Sequence, residues 1–60
     1  MSKGIPILVI EDEEHLRMIL EYNLKLNGFE VYLAENGPRG VELARQKRPE
    51  LIDWVGLEPL

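Results

Sequence analysis

The sequence predicts an α/β fold in which two helices cover a parallel sheet of three strands. Along the chain, short apolar runs alternate with segments that have the 3.6-residue repeat of a helix, which gives the element order β-α-β-α-β. The connections between these elements are only a few residues long. Right-handed crossovers and a parallel sheet follow, as in half of a doubly wound domain.

Three segments have the residue pattern of strands. Ile7 to Ile10 is a continuous run of branched apolar residues, which is typical of a strand covered on both faces, and Pro6 suits its start. In the segment Phe29 to Ala34, side-chain polarity alternates and β-forming residues are common, which predicts the second strand. Leu51 to Val55 is the expected third strand.

The first helix is predicted from Glu13 and has Asp12 as its expected N-cap. The turn Asn27-Gly28 ends it, with Gly28 in the left-handed conformation. Five aliphatic residues lie within an arc of about 160° and form the expected inner face: Leu16, Ile19, Leu20, Leu24 and Leu26. The expected polar face carries Arg17, Glu21 and Lys25.

The second helix is predicted from Asn36-Gly37-Pro38 to about Lys47. Its expected inner side carries Val41 and Ala44, with Gly37 and Gly40 allowing a close approach to the sheet, and Pro49 ends it. Gly40 makes this helix the weaker of the two, because glycine costs a helix roughly 1 kcal/mol relative to alanine.

Composition limits the chain to one small domain, residues 1–60, and excludes several classes of function. Cysteine is absent, so that disulfides, zinc-thiolate sites and a cysteine nucleophile are excluded. The net charge of −4 argues against a nucleic-acid surface. The longest apolar run is far shorter than the roughly 20 residues that span a bilayer, and the N-terminus lacks the apolar segment of a secretory signal. A cytoplasmic location without membrane contact is therefore expected.

Acidic residues mark the predicted carboxyl edge of the sheet, where functional groups collect in such folds. Glu11, Asp12 and Glu13 directly follow the first strand, and adjacent carboxylates suit a hard ion such as Mg²⁺. Asp53 is the only acid in the third strand segment, and beside Mg²⁺ it is a workable nucleophile toward a phosphoryl group. Acids at the start of a helix are also commonly just partners of the helix dipole, and the spacing alone leaves both interpretations open.

Residues 5 to 52 resemble the N-terminal half of the receiver domain of bacterial two-component response regulators. The similarity lies in an apolar strand that ends in "ED", a helix that ends in "NG" before an aromatic-led strand, an "AENG" turn, and an "RPELI" lead into the third strand. The resemblance implies a flavodoxin-like fold with strand order 2-1-3-4-5, of which this chain carries the 2-1-3 part. It also implies that Glu11 and Asp12 bind Mg²⁺, and that a histidine kinase phosphorylates an aspartate at the end of the third strand.

The dipeptide Asp53-Trp54 resembles the "LDWxLP" of winged-helix regulators of the phosphate-regulon type, which makes Asp53 the candidate phospho-acceptor. The tail, residues 53–60, departs from the family pattern, because two apolar strand residues between Pro49 and Asp53 are missing. A shift of two residues keeps a side chain on the same face of the strand. It leaves Asp53 about 6–7 Å below the strand end, at roughly 3.3 Å per residue. Weak Mg²⁺ binding and inefficient phosphorylation are therefore expected.

The sequence predicts a truncated or altered receiver from phosphorelay signalling, without enzymatic activity of its own. The hydroxyl and lysine residues with which the family holds the phosphoryl group have no counterpart in residues 1–60. The alternative is a noncatalytic, self-associating interaction module that binds Mg²⁺ weakly. A homodimer is expected in either case, because the third strand lies at an edge of the sheet and exposed edges recruit other chains. Trp54 and Leu57 are the expected anchors of that interface.

Overall fold

The computed structural model describes residues 4–54, which form two helices packed on a three-stranded parallel sheet. The elements in chain order are β1 (Pro6–Ile10), α1 (Glu14–Leu26), β2 (Glu30–Ala34), α2 (Gly37–Lys47) and β3 (Leu51–Trp54). The strand order is β2-β1-β3, and β1 pairs in parallel with both neighbours. The predicted α/β fold, with the strand order of a partial flavodoxin-like unit, is confirmed. Val55 and the rest of the tail lie outside the described residues.

The central strand β1 carries most of the core, as its continuous apolar sequence predicts. All residues from Ile7 to Ile10 are buried, because a strand covered on both faces exposes neither set of its alternating side chains. Leu8 and Ile10 point toward α2 and pack with Ala34 and Leu43. Ile7 and Val9 point to the opposite face of the sheet, where α1 lies.

The inner side of α2 differs from the predicted one. Leu43 is buried and Ala44 packs beside it, whereas Val41, which was expected to face inward, is exposed. Gly40 decides the orientation, since a Cβ at this position would lie 2.4 Å from Cδ1 of Ile10. The backbone of α2 therefore comes closest to the sheet at Gly40. Positions 43 and 44 lie on the same side of the helix as position 40 and so face the sheet as well.

The ends of α2 follow the sequence signals. Asn36 is the N-cap, and its side-chain oxygen accepts a hydrogen bond from the Arg39 backbone N–H at 2.8 Å. The helix ends at Lys47, and Arg48 follows as a C-cap in the left-handed conformation, with φ of 47°. Pro49 lies just beyond this cap and ensures that the helix does not continue.

The predicted start and inner face of α1 are both partly wrong. Glu13 is the N-cap in place of Asp12, and it makes no side-chain cap bond. Leu20 and Leu24 are half-buried as expected, but three members of the predicted inner stripe are exposed: Leu16, Ile19 and Leu26. The helix turns its Arg17–Leu20–Leu24 side toward the sheet, because a sheet of three short strands covers only a narrow strip of the helix.

At the other end of α1, Gly28 has the predicted left-handed conformation, with φ of 88°.

No helix within residues 4–54 is both long enough and apolar enough to cross a membrane.

Candidate functional site

The candidate site is the carboxyl edge of the sheet, where the chain leaves β1 for α1. The Glu11 backbone N–H donates a hydrogen bond to the Ala34 carbonyl at 3.0 Å, which continues the β1–β2 ladder one residue beyond the two strands. The backbone of Glu11 is therefore held by the sheet, and its side chain starts from a fixed position.

The Glu11 side chain is fully buried, with an exposed fraction of 0%. One carboxylate oxygen, Oε2, accepts a hydrogen bond from the Glu13 backbone N–H at 2.9 Å, at the start of α1. The other oxygen, Oε1, is buried and has no hydrogen-bond partner among the described residues. An unsatisfied buried acceptor costs about 1–3 kcal/mol, and more when it is charged. This oxygen therefore favours a cation or a proton donor beside it.

Arg17 fastens α1 to the same edge of the sheet. Its Nη1 donates a hydrogen bond to the Glu11 carbonyl oxygen at 2.8 Å, and its side chain is half-buried. The helical period of the sequence predicts Arg17 on the polar face and indicates no role for it at the site. Its spacing of three and seven residues from Leu20 and Leu24 was the available signal, because such positions share one side of a helix.

Asp12 lies next to Glu11 and is exposed to solvent. Since Glu13 is the N-cap residue of α1, Asp12 has no capping role. The sheet edge thus carries two consecutive carboxylates in different surroundings, one buried with an unpaired oxygen and one in solvent.

Asp53 does not reach this edge. In the β1–β3 ladder Asp53 is paired with Val9, and Trp54 with Ile10. Asp53 therefore lies two residues short of the level of Glu11, about 6–7 Å along the strand at roughly 3.3 Å per residue. Its half-buried side chain shares the face of Val9, on which α1 packs.

Mg²⁺ is the metal that the receiver resemblance implies for this edge. Within residues 4–54, no three His, Cys, Asp or Glu side chains come together as a metal-binding group, so the structure does not add Asp53 to the acidic pair. Two carboxylates still fit Mg²⁺, which commonly takes one or two protein carboxylates and keeps several waters. The unpaired Oε1 of Glu11 is an oxygen acceptor of the kind that such an ion prefers.

Trp54 and Leu57 were the predicted anchors of an interface. The Trp54 ring lies against the start of α2, with its Cζ2 atom 3.2 Å from where a Cβ of Gly37 would be, and the residue is 54% exposed. This contact leaves about half of the residue uncovered within the described part of the chain. Leu57 lies outside the described residues.

Comparison with known proteins shows a similarity to a bacterial transcriptional regulatory protein. No family model matches the chain. The chain is 39% identical over 46 residues to the alkaline phosphatase synthesis transcriptional regulatory protein PhoP of Bacillus subtilis (strain 168). The matched segment is 77% of this chain and 19% of that protein, so the chain spans about a fifth of the length of this curated relative.

Proposed function

We propose that the chain is a receiver-type segment of a bacterial two-component response regulator. The observation that carries the proposal is the buried Glu11 carboxylate with its unpaired Oε1, next to Asp12 at the carboxyl end of the central strand. The strand order β2-β1-β3 and the similarity to a bacterial transcriptional regulatory protein support it.

In this proposal Glu11 and Asp12 hold Mg²⁺ at the edge of the sheet. When bound, the ion neutralises charge on a phosphoryl group and orients it. Glu11 provides the buried ligand atom, which the Glu13 N–H and the β1–β2 ladder keep in place. Asp12 provides the solvent-side ligand. Binding is weak because the edge lacks a third carboxylate from the described residues.

The proposed phosphoryl donor is a histidine kinase, and Asp53 is a poor acceptor for it. The β1–β3 register keeps Asp53 at the level of Val9, away from an ion held by Glu11. The segment therefore retains the cation-binding part of a receiver site, but its acceptor is displaced.

Titration with Mg²⁺ tests the cation site directly. We expect the amide signals of residues 10 to 14 to shift progressively up to tens of millimolar Mg²⁺, a rough range for so strongly hydrated an ion. Both Glu11→Gln and Asp12→Asn should reduce these shifts, because each removes one charged ligand.

Glu14→Gln is the matched control for this titration. It removes one negative charge from the same region, but from the first turn of α1, where Glu14 is exposed. Mg²⁺ shifts that are absent in the parent chain, or that fall equally in all three variants, would mean that no cation site exists at Glu11 and Asp12.

A second candidate function is that of a noncatalytic self-associating module, and β3 is the observation that favours it. Leu51, Ile52 and Trp54 are each about half exposed, and within the described residues one edge of β3 has no neighbouring strand. Exposed apolar edge strands pair readily with other chains. In this candidate Trp54 and Leu57 anchor the contact between two copies.

A further inference from the structure

The side of α1 that points away from the sheet is apolar. Leu20 and Leu24 face the sheet and are half-buried, whereas Ile19, Tyr22 and Leu26 are 55%, 67% and 68% exposed. A helix with one covered side normally carries polar residues on the opposite side. This helix instead has a second apolar side that no described residue covers.

The exposed residues on this side have the spacing of a helix-pairing surface. His15, Ile19, Tyr22 and Leu26 follow one another at intervals of four, three and four residues, and all four are exposed. We call them the α1 seam. Alternating intervals of three and four residues keep side chains on one line along a helix, which is the pattern by which two helices interlock. Exposed Leu16 and Met18 widen this apolar surface on either side of the seam.

We propose that two copies of the chain associate through their α1 seams, with the two helices antiparallel about a two-fold axis between Ile19 and Tyr22. Ile19 then packs against Tyr22 of the other copy, and His15 packs against its Leu26. The same patch serves both copies, as a two-fold interface requires. The proposal does not depend on the phosphorelay role, and it uses a different surface from the edge of β3.

The distribution of charge selects the antiparallel arrangement. The acidic residues Asp12, Glu13 and Glu14 cluster at the start of α1, and Lys25 lies in its last turn. A parallel pair would bring both acidic starts together. An antiparallel pair separates them by roughly 20 Å, at 1.5 Å per residue, and places each beside the end that carries Lys25.

The residues that flank the α1 seam add no repulsion between acidic side chains of the two copies. Leu16, Met18, Asn23 and Lys25 occupy the positions beside it, and none of them is acidic. Lys25 is paired with Glu21 of its own helix at 3.0 Å, on the side away from the seam.

The size of the surface sets the strength of the contact. The five apolar side chains of this surface are 41% to 68% exposed: Leu16, Met18, Ile19, Tyr22 and Leu26. Together they would bury on the order of 500 Å² per copy, or about 1,000 Å² in total, which is the lower limit for a specific interface. A weak dimer that dissociates on dilution is therefore expected.

Sedimentation equilibrium of the full chain from micromolar to millimolar concentration tests the proposal. We expect a reversible monomer–dimer equilibrium that Tyr22→Glu shifts to monomer. Ile52→Glu is the matched control, because it adds the same charge at an apolar residue of β3 that is also more than half exposed. It should leave the equilibrium unchanged. Parent chain that stays monomeric throughout, or dimers lost in Ile52→Glu and kept in Tyr22→Glu, would overturn the proposal.

The absence of cysteine from the chain permits a test of orientation that does not require a charged substitution. Equal amounts of His15→Cys and Leu26→Cys chains are mixed and oxidised, and the products are separated by mass. The antiparallel seam predicts the mixed disulfide as the main product, because these two positions face each other. A predominance of the two like-with-like disulfides would contradict the antiparallel arrangement.

Discussion

Gly40 determines how closely α2 approaches the central strand. An added Cβ would lie 2.4 Å from Cδ1 and 2.8 Å from Cγ1 of Ile10, a residue that is almost fully buried. Contacts this short force a shift of the helix or of the Ile10 side chain. The glycine therefore lowers the helix propensity of α2 but allows Ile10 and Leu43 to pack.

Substitution Gly40→Ala should consequently destabilise the fold, although alanine favours helices. Overpacking a core costs typically 1–3 kcal/mol, and alanine recovers roughly 1 kcal/mol of helix propensity, so a net loss of about 1 kcal/mol is expected. Urea unfolding gives the measurement. Gly37→Ala is the control, because its nearest neighbour is the half-exposed Trp54 ring, which has room to move. Equal stability of Gly40→Ala and the parent would contradict this role.

The role of Glu11, like that of Gly40, depends on the surroundings of the residue in the fold. The sequence places it after a strand and before a helix, which identifies it as a candidate ligand or as a helix-dipole partner. The structure shows that one oxygen serves the start of α1 and the other is unpaired. The contact with the Glu13 N–H fits the interpretation as a partner of the helix start, whereas the interpretation as a cation ligand stays a prediction.

Among the elements, the two helices begin in different ways. At α2 the Asn36 side chain caps the helix through the Arg39 N–H, whereas at α1 the N-cap Glu13 makes no side-chain bond and its N–H is held by Glu11. Asn36→Ala should cost about 1 kcal/mol of stability, within the usual range for loss of a cap.

Thermal or urea unfolding of three variants checks this difference between the caps. Asn36→Asp keeps an oxygen that can accept the Arg39 N–H and should retain most of the stability. Asp12→Ala, at the predicted but unused cap of α1, should change stability less than Asn36→Ala does. A larger loss in Asp12→Ala would indicate that Asp12 caps α1 after all.

The order of the elements and the ends of α2 were predictable from the sequence, because local signals fix them, whereas the start of α1 was not. Asn36 and the turn at Gly28 act within a few residues, and the apolar run of β1 is read directly. The helix faces were less predictable. Val41 and Ile19 fit the apolar period but lie outside the core, because the width of the sheet and the close approach at Gly40 decide which part of a helix is covered.

For the molecule as a whole, the register of β3 against β1 connects the fold with the proposed function. The acidic pair at the edge was predictable because it directly follows a strand, and the two-residue shift of Asp53 followed from the short spacing after Pro49. The spacing of Arg17 from Leu20 and Leu24 indicated that the three share one side of α1. The hydrogen bond from Arg17 to Glu11, however, was not predictable, because it depends on the rotation of α1 on the sheet. In the proposed function, the pairing of Asp53 with Val9 is the feature that would separate cation binding from phosphoryl acceptance.

Incubation with acetyl phosphate and Mg²⁺, followed by intact-mass measurement, tests this separation most directly. Acetyl phosphate supplies the phosphoryl group without a kinase, so the outcome depends on the site alone. Because Asp53 lies about 6–7 Å below the level of Glu11 along the strand, we expect the mass of the parent chain to stay that of the unmodified protein, as it should in Asp53→Asn. A stoichiometric gain of one phosphoryl group in the parent that is lost in Asp53→Asn would contradict it.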